Sequence, residues 1–136
     1  MSLTVFRKSH FNAAHRLYRS DWDDEKNKKV FGKCSNPNFH GHNYELEVGV
    51  TGEIDKETGF LIDIVELKTI MKEEIEDYLD HKNLNLDVPE FKGLNPTMEN
   101  IAIFIWEKLN AILLDRYKIV VTLFETPRNF VVYDGN

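Results

Sequence analysis

Apolar and polar residues alternate over two early stretches of the chain. In residues 3–15, Val5, Phe6, Phe11 and Ala13 stand among polar neighbours, and in residues 43–51, Tyr44, Leu46, Val48 and Val50 alternate with Glu45 and Glu47. A period of two belongs to a strand with one buried face, so both stretches are predicted to be strands. Two later segments, Lys118 to Thr126 and Phe130 to Tyr133, are rich in Val, Ile, Phe and Tyr, with Pro127-Arg128-Asn129 between them. Branched and aromatic side chains suit a pleated surface, and the short connection predicts a C-terminal hairpin.

Between the two strand pairs the period changes. Ile64, Leu67, Met71, Ile75 and Tyr78 recur three and four apart, as on one face of a helix, and Asp63 with Glu66 matches a capping box. This helix is predicted to end near Leu79. A second starts from an N-cap at Thr97, just after Pro96, and runs through Ile101, Ile105, Leu109 and Ile112 to near Asp115. Glu99 stands where the helix dipole favours a negative charge. Two strands, two helices and two strands in that order (ββααββ) predict an α+β fold, an antiparallel sheet with helices on one face.

Composition narrows the function classes. Over 136 residues there is no Pro/Gly/Ser-rich linker, internal repeat or compositional shift, so residues 1–136 are expected to form a single domain with a real core. The apolar runs are too short to span a bilayer, so no membrane segment is expected. Met1 to Thr4 lack the cationic start and apolar block of a secretory signal, which points to the cytoplasm. A net charge of -6 without a basic cluster argues against nucleic acid as a partner, because binding to phosphate backbones relies on Lys and Arg density. Cys34 is the only cysteine, so no internal disulfide can form, and its thiol is inert packing, a metal ligand, a nucleophile or a base. Its neighbours Gly32, Lys33, Ser35, Asn36, Pro37 and Asn38 suit a loop better than a core.

His40 and His42 stand two apart at the start of the second strand, so their imidazoles project from one face and can grip one cation. His15 closes the first strand on the parity of Phe11 and Ala13, and antiparallel pairing would bring it opposite the pair. Three imidazoles with an open fourth position are a catalytic rather than a structural zinc pattern. A cupin-type site would also use a carboxylate such as Glu47, but Glu45 and Glu47 have the wrong parity for it. Asp80 and His81 read either as a polar loop after a helix or as a proton-transfer dyad in which the carboxylate fixes the tautomer. Glu125 reads either as a solvated strand end or as the floor of a pocket, accepting paired N–H bonds from a planar ligand such as a pterin or guanine.

Cys34, His40-Gly41-His42, His15 after Phe11-Asn12-Ala13-Ala14, Asp80-His81-Lys82-Asn83-Leu84, Thr97-Met98-Glu99-Asn100 and Phe124-Glu125-Thr126 together resemble the 6-pyruvoyltetrahydropterin synthase family. The resemblance covers nearly the whole chain in the right order, including Leu17-Tyr18, Gly52-Glu53-Ile54-Asp55, Val88-Pro89 and Val131-Val132-Tyr133. It implies the tunnelling fold: a four-stranded antiparallel sheet with two helices per subunit, trimers closing the sheets into barrels, and two trimers stacked as a homohexamer with active sites between subunits. It implies 7,8-dihydroneopterin triphosphate as the small-molecule substrate and elimination of triphosphate, with no external nicotinamide. On the matching positions it implies one zinc ion per subunit on His15, His40 and His42, Cys34 as the proton acceptor, and Asp80 and His81 as a proton relay. It also implies Glu125 as the pterin anchor, with Thr97 and Glu99 lining the same pocket.

A related enzyme, 6-carboxytetrahydropterin synthase of queuosine biosynthesis, uses the same substrate but releases acetaldehyde, and its usual pattern leaves three residues between cysteine and first histidine. Here the gap is Ser35 to Phe39, which resembles the pyruvoyl type, as does Asn36-Pro37-Asn38. Phe39 stands where the family commonly has a small residue, and Met98 where it has a hydroxyl that can contact the pterin. An alternative of another class is a tunnelling-fold module that binds a pterin or purine without turnover.

Overall fold

The thirteen residues of β1 (Leu3–His15) and the thirteen of β2 (His40–Gly52) pair antiparallel over their whole length, from Leu3 opposite Gly52 to His15 opposite His40. This pairing comes from a computed structural model, which describes residues 2–136, with Asp115 described through its backbone alone. Met1, where the stretch read as lacking a secretory signal begins, lies outside them. Between β1 and β2 come helix α1 (Asp24–Phe31) and the 3-10 turn Gly32–Ser35. Helix α2 (Ile64–Met71) runs through a π-helical turn, Lys72–Glu76, into α3 (Asp77–Leu79). Strand β3 (Lys82–Asn83), helix α4 (Leu84–Asp87), helix α5 (Met98–Leu113) and the hairpin of β4 (Lys118–Phe124) with β5 (Phe130–Tyr133) complete the chain.

Among the described residues the sheet has five strands in the order β3-β1-β2-β4-β5. The four long strands are antiparallel, as the alternation predicts. The additional β3 pairs parallel with Ala13 and Ala14 at the outer edge of β1, and Lys-Asn carries no strand signal of its own. Strand parity sorts the faces: Phe11, Ala13 and His15 of β1, Tyr44, Leu46, Val48 and Val50 of β2, and Ile119, Val121 and Leu123 of β4 all point inward. Leu67, Met71, Ile75 and Leu79, and Ile101, Ala102, Ile105, Leu109 and Leu113 of α5, cover that face. Phe6, adjacent to inward Val5, projects to the other side and is exposed.

The helix predicted over residues 64–79 forms, but its inward row differs at both ends. Ile64 is exposed and Leu79, rather than Tyr78, is buried. Leu67, Met71, Ile75 and Leu79 are spaced by four, and three such steps would drift about 120° around an α-helix. The wider π turn at Lys72–Glu76 takes up that drift and keeps the row on one face. Ser9, buried on β1, hydrogen-bonds Glu76 within that turn. Asp63 caps α2 by accepting from the Val65 N–H, whereas Glu66 turns to Arg116 instead of closing the capping box. In α5, Leu113 is buried and Ile112 exposed, and a 3-10 turn, Leu114–Arg116, ends the helix. The hairpin closes as expected, with Thr126 Oγ1 accepting from the N–H groups of Arg128 and Asn129. Among the described residues no helix is long and apolar enough to cross a membrane.

Candidate metal centre and its cleft

The β1–β2 register sets His15 directly opposite His40 and Ala13 opposite His42, all at one end of the inward face. One imidazole nitrogen from each histidine lies within 4.8 Å of the others. His15 is 0% exposed, and its Nδ1 lies 2.7 Å from the Pro96 carbonyl. A carbonyl can only accept, so Nδ1 carries the proton and Nε2 presents its lone pair to the cluster. The sequence predicts the cluster but not this anchor, a backbone carbonyl beside the N-terminus of α5. Buried nitrogens are left without hydrogen-bond partners here: Nε2 of His15, both ring nitrogens of His40, and Nε2 of His42. Orphaned buried polar atoms are costly in a native fold, and three convergent imidazole lone pairs are the donor set that suits zinc. The residues present therefore fit a metal ion.

Electrostatics agree with that fit. Burial pushes the His15 imidazole down to about 4, partly opposed by the Pro96 bond and reinforced by His40 and His42. His40 is lowered for the same reasons, burial first and then His42. Neutral imidazoles are the metal-binding form. Glu125 stands one residue beyond β4, on the parity of Ile119, Val121 and Leu123. Its carboxylate oxygens lie 3.9 Å from Nε2 of His15 and 3.9 Å from Nε2 of His42, so it is not a solvated strand end. With His15 neutral at physiological pH, its contact with Glu125 is not an ion pair. Tyr44 forms the floor, its hydroxyl 3.4 Å from His15 Nδ1, and burial raises its phenol well above the usual range.

A cleft of about 1170 Å³ opens beside the cluster, with Cys34, His40 and His42 in its wall together with Arg16, Asn27, Lys28, Lys33 and Phe39. The 3-10 turn that carries Cys34 is tied to β1's exit by the Leu17 N–H, which donates to the Cys34 carbonyl at 2.8 Å. Cys34 is a free, half-buried thiol, raised by burial and by the Glu125 charge. Phe39 sits at φ 67, a left-handed conformation that costs about 1–2 kcal/mol for a residue with a Cβ, directly before His40. Helix α1, which forms one wall, escaped the sequence reading because it has no apolar period. Its buried residue is Asn27, whose Oδ1 accepts from the Arg19 N–H and whose Nδ2 donates to the Arg19 carbonyl.

Asp80 and His81 form the dyad but lie elsewhere, at the β3 edge of the sheet. His81 Nδ1 is 2.7 Å from Asp80 Oδ2, while the Asn12 N–H donates to Asp80 Oδ1 at 2.8 Å. That backbone bond and then His81 hold the Asp80 carboxyl below its ordinary range. His81, at φ 60, has a side chain 78% exposed and is pinned by its N–H to the Asn12 carbonyl. Neither dyad residue lines the cleft that holds Cys34. Thr97 and Glu99 also lie outside its lining. Thr97 Oγ1 accepts the Asn100 N–H as the N-cap of α5, and Glu99 is exposed in the first turn.

A family-wide sequence model described as 6-pyruvoyl tetrahydropterin synthase matches residues 4–136. The 6-pyruvoyl tetrahydrobiopterin synthase of Pongo abelii is 50% identical over 131 residues, covering 96% of this chain and 90% of that protein. The one from Homo sapiens is 48% identical over 131 residues, with the same 96% and 90% coverage. A solved structure of Caenorhabditis elegans 6-pyruvoyl tetrahydropterin synthase superposes with a TM-score of 0.93 at 40% identity, covering 100% of this chain and 97% of its own.

Proposed function

The chain belongs to the 6-pyruvoyl tetrahydropterin synthase family, and from that premise we propose that it is a zinc-dependent lyase of tetrahydrobiopterin synthesis. It converts 7,8-dihydroneopterin triphosphate to 6-pyruvoyltetrahydropterin and eliminates triphosphate. The observation that carries the reading is the convergence of His15, His40 and His42, with unpartnered buried nitrogens, near Cys34 in the cleft wall and 3.9 Å from Glu125 at His15 and His42. The carboxy-type alternative is not favoured by relatives named for biopterin synthesis.

Zinc held by the three histidines would supply Lewis-acid stabilisation of negative charge on the substrate's side-chain oxygens as the neighbouring C–H bonds ionise. Cys34 Sγ takes the carbon-bound proton. Burial and Glu125 keep this thiol protonated in the isolated chain, so the thiolate needs a cation facing it. His81 Nε2 takes the thiol proton and so becomes that cation, and because His81 lies away from the cleft of its own chain it acts from a neighbouring subunit. Asp80 accepts the hydrogen bond from His81 Nδ1–H and stabilises the imidazolium, leaving Nε2 to exchange protons with Cys34 and the substrate. Glu125 accepts the paired N–H edge of the pterin, and Thr97, the N-cap of α5, and Glu99, in its first turn, complete that pocket. Shared sites of this kind fit trimer barrels stacked as a homohexamer, acting in the cytoplasm.

The test supplies purified protein with zinc, magnesium and dihydroneopterin triphosphate. Release of triphosphate with a product of the mass of 6-pyruvoyltetrahydropterin is expected. No triphosphate release overturns the reading, and acetaldehyde with a carboxypterin replaces it with the carboxy-type activity.

A further inference from the structure

We propose that the cleft beside the histidines contains a polyphosphate subsite built on Arg16, Lys28 and Lys33. It rests on the reading above and deepens it by assigning the residues that hold the substrate's anionic tail. Arg16 follows the metal-site residue His15 directly and lines the same cleft as Cys34, His40 and His42. The Arg16 backbone is clamped: its N–H donates to Asn85 Oδ1 at 2.8 Å, and Asn85 Nδ2 returns a bond to the Arg16 carbonyl at 2.9 Å. Its Nε donates to the Ser35 carbonyl at 2.8 Å, and its guanidinium lies 3.8 Å from the centre of the Tyr18 ring. Among the described residues no acceptor takes its two Nη groups, which form the planar fork that suits phosphate oxygens.

Lys28 is presented by α1, which buried Asn27 fastens to the Arg19 loop, and Lys33 by the turn that carries Cys34. Neither has an ion-pair partner among the described residues. The charged groups in the cleft wall are these three cations and Asp24, a balance of +3 − 1 = +2 in a chain whose net charge is -6. A local excess of positive charge on an acidic protein, next to the reacting groups, recruits an anion and holds it as it departs.

Isothermal titration of the purified full chain with inorganic tripolyphosphate tests the subsite, with dihydroneopterin as the phosphate-free comparison. Binding of tripolyphosphate is expected, and Arg16→Gln and the double variant Lys28→Glu/Lys33→Glu should each weaken it about tenfold or more, the loss of a charge-assisted hydrogen bond. Both should leave zinc content and dihydroneopterin binding unchanged. The lysines are exposed, so the double variant reports on the subsite even where Arg16→Gln fails to fold. Equal affinity for wild type and both variants overturns the proposal, as does binding that vanishes only when a chelator strips the metal. Turnover with unchanged KM in the variants sinks the subsite and leaves the activity standing. Tripolyphosphate binding that the variants lose, in a protein that turns over nothing, keeps the subsite and sinks the activity.

Discussion

Replacing His15 by glutamine should abolish a specific pH dependence of the metal-free protein. His15 is 0% exposed and its imidazole is pushed from 6.5 down to about 4, chiefly by burial. The unfolded chain therefore binds this proton more tightly than the folded one, and protonation favours unfolding. The stability at stake is fully present above pH 6.5, is lost as the pH falls through that value, and stops falling near pH 4. The interval corresponds to about 3 kcal/mol in all, of which about 2 kcal/mol falls between pH 7 and pH 5. Urea denaturation of metal-free wild type and His15→Gln at those two pH values isolates the contribution, because other titrating groups are common to both proteins. Wild type should lose about 2 kcal/mol more than the variant. Equal losses would refute a buried, neutral His15 whose Nε2 is free for a metal.

Cys34→Ala should lower turnover about 10²–10⁴-fold, the usual worth of a general base, with the unfolding midpoint unchanged, because the thiol is half-buried; full activity would remove Cys34 from the chemistry. Asp80→Asn keeps an acceptor for the Asn12 N–H but removes the carboxylate charge that faces His81 Nδ1. Its rate should fall about 10²-fold or more, with the pH–rate profile altered and zinc retained, and an unchanged profile would exclude the dyad. Gly49→Val should cost about 1–3 kcal/mol in a denaturant melt, because a Cβ there would meet Phe6 Cε1 and Val120 Cγ1, both at 2.7 Å. A neutral substitution would show that this face of the sheet is looser than the geometry indicates.

The long strands and both core helices are legible in the sequence because their apolar periods are long enough to be unambiguous. Parity alone leaves Glu125 open, since it stands one residue beyond β4, and its inward placement rests on its approach to His15 and His42. The histidine cluster is legible, since a period of two and an antiparallel register are enough to bring His15 opposite His40. Other features are hidden because they arise from tertiary geometry. The π turn is a response to a spacing of four that an α-helix cannot keep in phase, so Tyr78 and Leu79 exchange roles. Helix α1 is held by a buried asparagine and not by an apolar stripe. The place of Asp80 and His81 depends on hydrogen bonds to Asn12, far away in sequence, and no local pattern encodes that separation from Cys34.

Metal content of the purified chain and its single variants tests the centre most directly. Elemental analysis should find about one zinc per chain in wild type, Cys34→Ala and Glu125→Gln, and little in His15→Gln, His40→Ala or His42→Ala, since zinc held by three imidazoles does not survive the loss of one. Zinc that leaves with Cys34→Ala, or that stays in the histidine variants, would contradict a three-histidine centre with the cysteine beside it as a base.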